Sequence, residues 1–246
     1  MMFRVLCLLL LSIFLGENGN AASRGKSEKK VKQGATRTND KTKTPRFQIN
    51  ASRIIPRERA ASDAPKAQEV KRGMKFLLVH RHTLKHAEWR YGVSREAVTA
   101  VLKQESNLGI HLGEEGVYRT LRTRALDSQE ARARAEAARQ LKCFLQLSSQ
   151  ERWNPHAIYG ASWGELGIPQ FLPCSWLAYA VDGNDDGVVN LFDPQDAIMS
   201  TARFLEAHGW RRGLKTRALF HYNRDEEYGR SVLAYARALR SASVAN

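Results

Sequence analysis

Apolar residues recur at helical spacing in the first half of the folded region, and this pattern constrains the fold more than any other feature. Phe76, Leu84 and Tyr91 belong to one apolar stripe, and residues 137–145 contain another. A half-buried strand would instead alternate apolar and polar residues, and residues 66–147 show no such alternation. With 246 residues, 43% of them apolar, the chain can bury one ordinary core and still carry extensions. We therefore predict a mainly α-helical domain.

The segment Tyr91–Gly109 predicts a helix that carries a carboxylate on its apolar face. Ser94 is a suitable N-cap and Gly109 can end the helix in a left-handed conformation, so the helix should span about 95–108. Glu105 falls within the apolar stripe of this helix. Burial and the helix C-terminus should both raise its pKa toward the range of a general acid. A half-buried glutamate paired with an arginine would show the same pattern.

Other predicted helices have recognisable start and stop residues. We expect a weak point at Gly73 in the first of them. Asp127 and Glu130 have the spacing of a capping box, while Asp193 can start a later helix and Gly209 can stop it. The predicted ranges are 65–91, 117–125, 127–147, 194–208 and 227–241. In the range 127–147 the inward stripe comprises Ala137, Ala138, Leu141, Phe144 and Leu145.

Residues 1–22 have the pattern of a signal peptide. Arg4 precedes an apolar run over Val5–Leu15, and small residues follow at Ala21 and Ala22. This run is shorter than the roughly 20 residues that span a bilayer. Cys7 lies inside the run, so we see no lipid-attachment cysteine of a lipoprotein. We expect export to the periplasm or cell envelope, with an uncleaved membrane anchor as the alternative.

Residues 23–65 predict a basic, disordered linker ahead of the folded domain at 66–246. The linker holds twelve Lys and Arg against four Asp and Glu, which is +8 of the chain's net +14. Such a charge run seeks anions. Because export removes the chain from nucleic acid, we expect the linker to bind anionic polymers of the envelope and expect no nucleic-acid partner.

The segment Tyr159–Trp176 is rich in glycine, proline and aromatic residues, and it neither repeats nor alternates. Glycines let backbone approach a ligand closely, and aromatic rings with amides suit a sugar-binding cleft. A buried turn with core tryptophans is an equally good interpretation of this composition.

The segment Asp182–Asp193 has the spacing of a calcium-binding loop. Its side-chain ligands would be Asp182, Asn184, Asp186 and Asp193, with the Val188 carbonyl, Asn190 acting through water, and Gly187 at the turn. Asp193 is shorter than the glutamate usual at the last position, so we expect a weak, structural Ca²⁺ site. An Asx-rich turn that binds nothing is the alternative.

Five motifs in order resemble the membrane-bound B-type family of lytic murein transglycosylases, over roughly residues 76–236. They are YGV…KQESNLG, GASWGELGIPQFLP, YAVDGNDDGVVNLFDP, DAIMSTARFLEAHGW and HYN…EEY. The resemblance implies a mainly α, lysozyme-like α+β catalytic domain with an inserted EF-hand-like loop at Asp182–Asp193. It also implies that Glu105 is the single catalytic acid and base.

The resemblance further assigns residues to a sugar-binding cleft. These are Gln170, Phe171, Tyr222, Asn223 and Tyr228, with Ser162 one place after the position where many members have a serine. The implied reaction cleaves the MurNAc–GlcNAc β-1,4 bond of peptidoglycan glycan strands without water and leaves 1,6-anhydro-muramyl ends. It needs no cofactor, and we expect a monomer.

Two other functions fit the same residues. A muramidase would hydrolyse this bond with a second carboxylate such as Glu165 acting on water. A non-catalytic wall-binding protein would hold the glycan without cutting it. Cys143 and Cys174 remain after signal removal, and they either pair, as is common in exported chains, or stay free in the core.

Overall fold

The computed structural model describes residues 65–244. The predicted signal peptide at 1–22 and nearly all of the linker at 23–65 lie outside this range. Within it, no helix is long and apolar enough to cross a membrane.

Nine helices and a small sheet form the described part of the chain. The helices are α1 (Ala67–Val79), α2 (Arg81–Tyr91), α3 (Arg95–Ser106), α4 (Val117–Asp127), α5 (Ala131–Gln150), α6 (Pro173–Tyr179), α7 (Pro194–Ala207), α8 (Lys215–Tyr222) and α9 (Glu226–Val244). Strands β1 (Glu115–Gly116) and β2 (Tyr159–Gly160) pair antiparallel, with Glu115 opposite Gly160. The predicted mainly helical class is confirmed.

Helix α3 lies at the centre and is surrounded by α1, α2, α7 and α9. Val98, Val101 and Leu102 are fully buried, and burial extends around most of the helix, as expected for a core helix. The helix ends at Ser106 because Asn107 already has a positive φ of 53°. It is therefore two residues shorter than predicted, and Ser94 precedes it without a capping hydrogen bond from its side chain.

The first predicted helix is two helices, and they join at His80 instead of Gly73. Gly73 is buried inside α1, where an added Cβ would collide with the Tyr235 hydroxyl and with Leu239 of α9. Helix α1 therefore continues through Gly73, where a weak point was expected. Gly73 is required for close packing of two helices, a tertiary cause that spacing along one helix does not reveal.

Helices α4 and α5 pack closely against each other. The predicted capping box is wrong, because Asp127 is the last residue of α4 and Glu130 itself is the N-cap of α5. The buried face of α5 also differs from the predicted stripe, since Ala138 and Leu145 are exposed while Gln140 is buried. The structure pairs Cys143 with Cys174 in a disulfide between α5 and α6.

Candidate active site

A cleft opens at the C-terminal end of α3 and has Glu105 in its wall. The space between its lining residues, counted together with the open solvent at its mouth, is about 790 Å³. Its lining residues are Glu105, Leu121, Arg124, Ala133, Glu136, Ala137, Gln140, Trp163, Glu165, Gln170, Leu172, Tyr222, Asn223 and Arg224. Four parts of the chain therefore meet here: the end of α3, the α4–α5 pair, the segment 163–172, and residues 222–224.

A tight turn holds Gln170 in the cleft. Leu166 and Phe171 exchange backbone hydrogen bonds of 2.8 and 3.0 Å, and inside the turn Gly167 and Gln170 have positive φ values of 71° and 52°. A side chain at Gly167 would lie 2.5 Å from the Leu191 carbonyl oxygen, so only glycine fits. The Gln170 amide donates to the Gly167 carbonyl at 2.8 Å. A left-handed glutamine in a fixed orientation is the kind of strain found at functional sites.

Ser106 fixes this turn to the end of α3. Its buried hydroxyl donates to the Ile168 carbonyl at 2.7 Å and accepts from the Gly109 N–H at 2.9 Å. Glu105 is the neighbouring residue in sequence. Hydrogen bonds of one buried serine therefore link the end of α3, next to Glu105, to the turn that holds Gln170.

Aromatic rings form the floor beneath the cleft. The Tyr222 hydroxyl donates to the Pro169 carbonyl at 2.7 Å. Phe171 packs against Tyr222 and against Phe204, with ring centroids 5.8 and 5.5 Å apart. Tyr228 stacks on Tyr222 at 6.4 Å. These rings hold Tyr222 at the cleft surface.

Glu105 acts electrostatically on Tyr222. Burial raises the pKa of the Tyr222 phenol well above its ordinary value, and the nearby charge of Glu105 raises it further. Tyr222 therefore keeps its proton, which it donates to the Pro169 carbonyl. The site thus combines a carboxylate at a helix end with a neutral phenol.

A second carboxylate in the cleft, Glu165, is held by its neighbours. It is 9% exposed and accepts the Trp163 backbone N–H at 2.9 Å. The Arg124 guanidinium lies 3.3 Å from the centre of the Trp163 ring. Burial lowers the pKa of Arg124, while the negative charge of Glu165 raises it. Glu165 therefore has a buried backbone donor and a nearby cation.

A third carboxylate, Glu136, is engaged in the same way on α5. It is 3% exposed and accepts two hydrogen bonds from the Arg139 guanidinium, at 2.9 and 2.7 Å. The Gln140 amide donates to Glu136 at 2.7 Å, and the Gln140 oxygen accepts the Cys174 N–H at 3.0 Å. This network joins α5 to α6 beside the disulfide.

The structure brings some of the predicted site residues together and leaves others outside the cleft. Glu105, Gln170, Tyr222 and Asn223 line it. Phe171 and Tyr228 are buried below the surface, at 2% and 5% exposure, so they support Tyr222 and do not face the cleft. Ser162 is exposed and is not among the lining residues. Sequence reasoning missed Arg124, Glu136 and Gln140 as lining residues, although Arg124 stands three places after buried Leu121 on α4.

The loop Asp182–Asp193 brings the first three predicted calcium ligands close together. Asn184 donates its amide to Asp186 at 3.0 Å, and Asp182 accepts the backbone N–H groups of Asn184, Asp186 and Gly187. Desolvation acts to raise the pKa of Asp182, but these backbone donors hold it below its ordinary value. Three oxygen-bearing side chains with an ionised carboxylate among them fit a hard cation such as Ca²⁺.

The last predicted ligand, Asp193, faces the α7 N-terminus instead. One of its oxygens caps α7 by accepting the N–H groups of Gln195 and Asp196, at 2.7 and 3.4 Å. Fully buried Asp196 closes the loop by accepting the N–H groups of Gly183 and Asn190. Among residues 65–244, no three His, Cys, Asp or Glu side chains gather in a way that could hold a metal. The EF-hand-like arrangement predicted for the whole loop is therefore not reproduced.

Comparisons with known proteins identify relatives of this chain. A family profile described as "Transglycosylase SLT domain" matches residues 18–234. Membrane-bound lytic murein transglycosylase B of Escherichia coli (strain K12) is 33% identical over 144 residues, which are 58% of this chain and 39% of the relative. The match thus spans about two fifths of that relative's length.

Several solved structures have a fold similar to that of this chain. The Escherichia coli lytic transglycosylase Slt35 in complex with calcium has a TM-score of 0.69 at 23% identity, covering 73% of this chain and 77% of that chain. SltB3 from Pseudomonas aeruginosa in complex with NAG-anhNAM-pentapeptide has a TM-score of 0.54 at 34% identity, covering 59% and 38%. These findings confirm the family expected from the five motifs. The chain belongs to the transglycosylase SLT domain family, with membrane-bound B-type lytic murein transglycosylases as its relatives.

Proposed function

We propose that this protein cleaves the MurNAc–GlcNAc bond of peptidoglycan glycan strands without water, with Glu105 as general acid and then as general base. The observation that carries this proposal is the position of Glu105 in the cleft wall at the C-terminal end of α3, where its charge acts on the buried Tyr222 phenol. Glu136 is held by Arg139 and Gln140, and Glu165 by the Trp163 N–H and the charge of Arg124. Glu105, at the end of α3 beside a neutral Tyr222, is the carboxylate best placed for proton transfer.

A single carboxylate is sufficient for this reaction. Protonated Glu105 gives its proton to the glycosidic oxygen as the bond from that oxygen to C1 of MurNAc breaks. The C6 hydroxyl of the same sugar then attacks C1, and its proton returns to the Glu105 carboxylate. The product is a 1,6-anhydro ring, and the enzyme ends in its starting protonation state. Because the nucleophile belongs to the substrate, its effective concentration is high and no second carboxylate is needed to activate water.

Other cleft residues would orient the sugar. Gln170 and Asn223 present amides, and Tyr222 presents a phenol next to Glu105. The solved complex of SltB3 with NAG-anhNAM-pentapeptide supports peptidoglycan as the substrate class. We place the enzyme, as a monomer, in the periplasm or cell envelope, because residues 1–22 have the pattern of an export signal.

Digestion of purified sacculi tests the proposal. Mass spectrometry of the released muropeptides should find 1,6-anhydro ends. Glu105→Gln should lower the rate of release by about 10²- to 10⁴-fold, because the amide keeps the shape of the side chain but delivers no proton. Its binding to sacculi should remain, since nothing else in the cleft changes.

Glu165→Gln is the matched control in the same cleft. We expect it to keep anhydro products and to lose less than about tenfold in rate, because Glu165 holds Arg124 and Trp163 and transfers no proton in this mechanism. If the products are reducing sugars and this variant is the inactive one, the enzyme is a muramidase. Binding of wild-type protein to sacculi without release of fragments would identify a wall-binding protein instead.

We also propose that Asp182, Asn184 and Asp186 hold a structural Ca²⁺ ion, with the Val188 carbonyl. Asp193 contributes less than predicted because it caps α7. Affinity should lie at the weak, extracellular end, around 10⁻⁴ to 10⁻³ M. The loop lies between α6 and α7 and supplies none of the lining residues of the cleft. The ion would therefore stabilise the fold and take no part in the reaction.

A further inference from the structure

Large apolar side chains are exposed on the outward side of α1 and α2. Leu78, Val79 and Trp89 are 65%, 62% and 76% exposed. They belong to a run of exposed residues spaced three or four apart, which also contains Lys75, His82 and Lys85. We call these six residues the α1–α2 stripe. Apolar residues that recur on one exposed helical side indicate a surface that is covered by something in function.

The two helices that carry the stripe are strongly basic. Between Lys71 and Arg90 the sequence has six Lys and Arg and a single acidic residue, Glu88. Glu88 pairs with Arg95 at 3.1 Å, so it does not neutralise the exposed cations of the stripe. The surface therefore joins apolar groups with an excess of positive charge.

This surface is separate from the cleft. The opposite sides of α1 and α2 bury Phe76, Leu84 and Ala87 in the core. None of the six stripe residues lines the cleft around Glu105. A partner on the stripe would leave the cleft accessible to a glycan strand.

The basic segment 23–65 leads directly into α1, which begins at Ala67. Its +8 charge therefore directly precedes α1 in the sequence. The two cationic regions are consecutive in sequence, so both can reach the same anionic surface.

We propose that the α1–α2 stripe docks on an anionic phospholipid membrane surface. Leu78, Val79 and Trp89 enter the headgroup region, while the surrounding lysines and arginines contact lipid phosphates. Basic residues gain energy near an anionic bilayer, and tryptophan with aliphatic side chains favours its interface. A phosphate-rich soluble polymer would attract the cations equally well, but it offers nothing that buries the exposed apolar groups.

Co-sedimentation of the full chain with vesicles tests this proposal. Vesicles of phosphatidylcholine with about one third phosphatidylglycerol should bind the protein more tightly than vesicles of phosphatidylcholine alone. The apolar triple variant, Leu78→Gln with Val79→Gln and Trp89→Gln, should bind about tenfold or more weakly. The charge triple variant, Lys75→Gln with Arg81→Gln and Lys85→Gln, should lose a similar amount at low salt. Brominated lipids should quench fluorescence of the wild type more than of Trp89→Phe.

Matched controls change exposed residues elsewhere. Leu126→Gln with Leu145→Gln and Val244→Gln is the apolar control, and Arg122→Gln with Arg132→Gln and Lys142→Gln is the charge control. All of these side chains are exposed, so thermal melting should show every variant folded.

If the apolar triple binds vesicles as the wild type does, the proposal is wrong. If only the charge triple variant loses binding, and it loses binding to soluble polyphosphate as well as to vesicles, the partner is a soluble anionic polymer. Equal losses in the control variants would show non-specific adsorption and would also overturn the proposal.

Discussion

Ser106 shows how one buried hydroxyl can set the geometry of a site. It satisfies the Ile168 carbonyl and the Gly109 N–H at the same time, and it is fully buried. The arrangement of the strained Gln170 turn and the Glu105 helix therefore depends on Ser106, which does not itself line the cleft. A position of this kind affects the reaction through the orientation of other residues and does not touch the substrate.

Replacing Ser106 by alanine should lower both stability and activity. The buried Ile168 carbonyl and the partly buried Gly109 N–H would lose their partner, at a cost of about 1–3 kcal/mol in the free energy of unfolding. The rate of muropeptide release should fall because Glu105 and Gln170 lose their fixed relation. Urea unfolding and sacculus digestion measure the two effects, with exposed Ser231→Ala as control. Unchanged values for Ser106→Ala would show that the turn is held by other contacts.

Elements were predictable from sequence where local signals define them. Helix α7 starts at Pro194 after an Asp193 cap, and Gly209 is left-handed just after it ends, as the residue types predict. The inward face of α5 was not predictable from apolar residues, because Glu136 and Gln140 are buried by a polar network with α6. Glu105 stood out in sequence because it interrupts an apolar stripe. Arg124 did not, since only the packing of α4 against the segment 163–165 brings it to the cleft.

The disulfide between α5 and α6 should stabilise one wall of the cleft. Cys143 and Cys174 are 31 positions apart, and closing a loop of that size contributes about 3–4 kcal/mol in the chain-entropy model. The double variant Cys143→Ala with Cys174→Ala should therefore unfold at lower denaturant concentration than the oxidised wild type. Reduction of the wild type should reproduce the effect. Two free thiols in the denatured, unreduced protein would rule the bond out.

Calcium should stabilise the segment between α6 and α7. Millimolar Ca²⁺, compared with chelator, should raise the melting temperature of the wild type, because a ligand that binds only the folded state shifts the unfolding equilibrium. Asp186→Ala should lose the shift, since it removes a carboxylate that bonds to Asn184 and to the Val188 N–H. At a temperature where the protein is folded both with and without calcium, the rate of digestion should be the same in the two conditions. If calcium shifts neither protein, or both equally, the loop is only a turn.

At the scale of the whole molecule, the cleft and the α1–α2 stripe are formed by different residues. The cleft is built by the end of α3, the α4–α5 pair, the segment 163–172 and residues 222–224, while the α1–α2 stripe lies on α1 and α2. Both depend on the central helix α3, which packs against α1 and α2 and ends at the cleft. Docking on one side therefore need not change the geometry on the other. The charge balance of the fold nevertheless limits the pH range in which it is stable.

That range should end on the acid side near the ordinary pKa of histidine. Burial lowers the pKa of His208, and burial, His208 and nearby arginines lower the pKa of His221. Below about pH 6.5 the unfolded chain therefore binds protons that the folded chain refuses, so stability falls as pH decreases. Burial raises the pKa of Asp196, so its protonation favours the folded state as pH falls. This contribution opposes that of the histidines and grows only at lower pH.

On the alkaline side, burial raises the pKa of Tyr235 to about 12 and that of Tyr222 well above its ordinary value. Unfolded tyrosines lose their protons first, so this stabilisation is present below about pH 10 and is lost as pH rises through the folded values. The melting temperature should therefore be nearly constant from about pH 7 to 9 and should decline on both sides.

The acid decline can be assigned by a double substitution, His208→Gln with His221→Gln. It should flatten the fall in melting temperature between about pH 6.5 and 5, because the unfolded variant no longer takes up these two protons. Each kcal/mol corresponds to about 2–4 °C for a domain of this size. The control is His82→Gln with His86→Gln, which replaces two exposed histidines of α2 and should keep the wild-type slope. If the melting temperature of the double variant at 208 and 221 declines as steeply as that of the wild type, other groups set the acid limit. Half-buried His80, whose pKa is also lowered by burial, is then the next residue to replace.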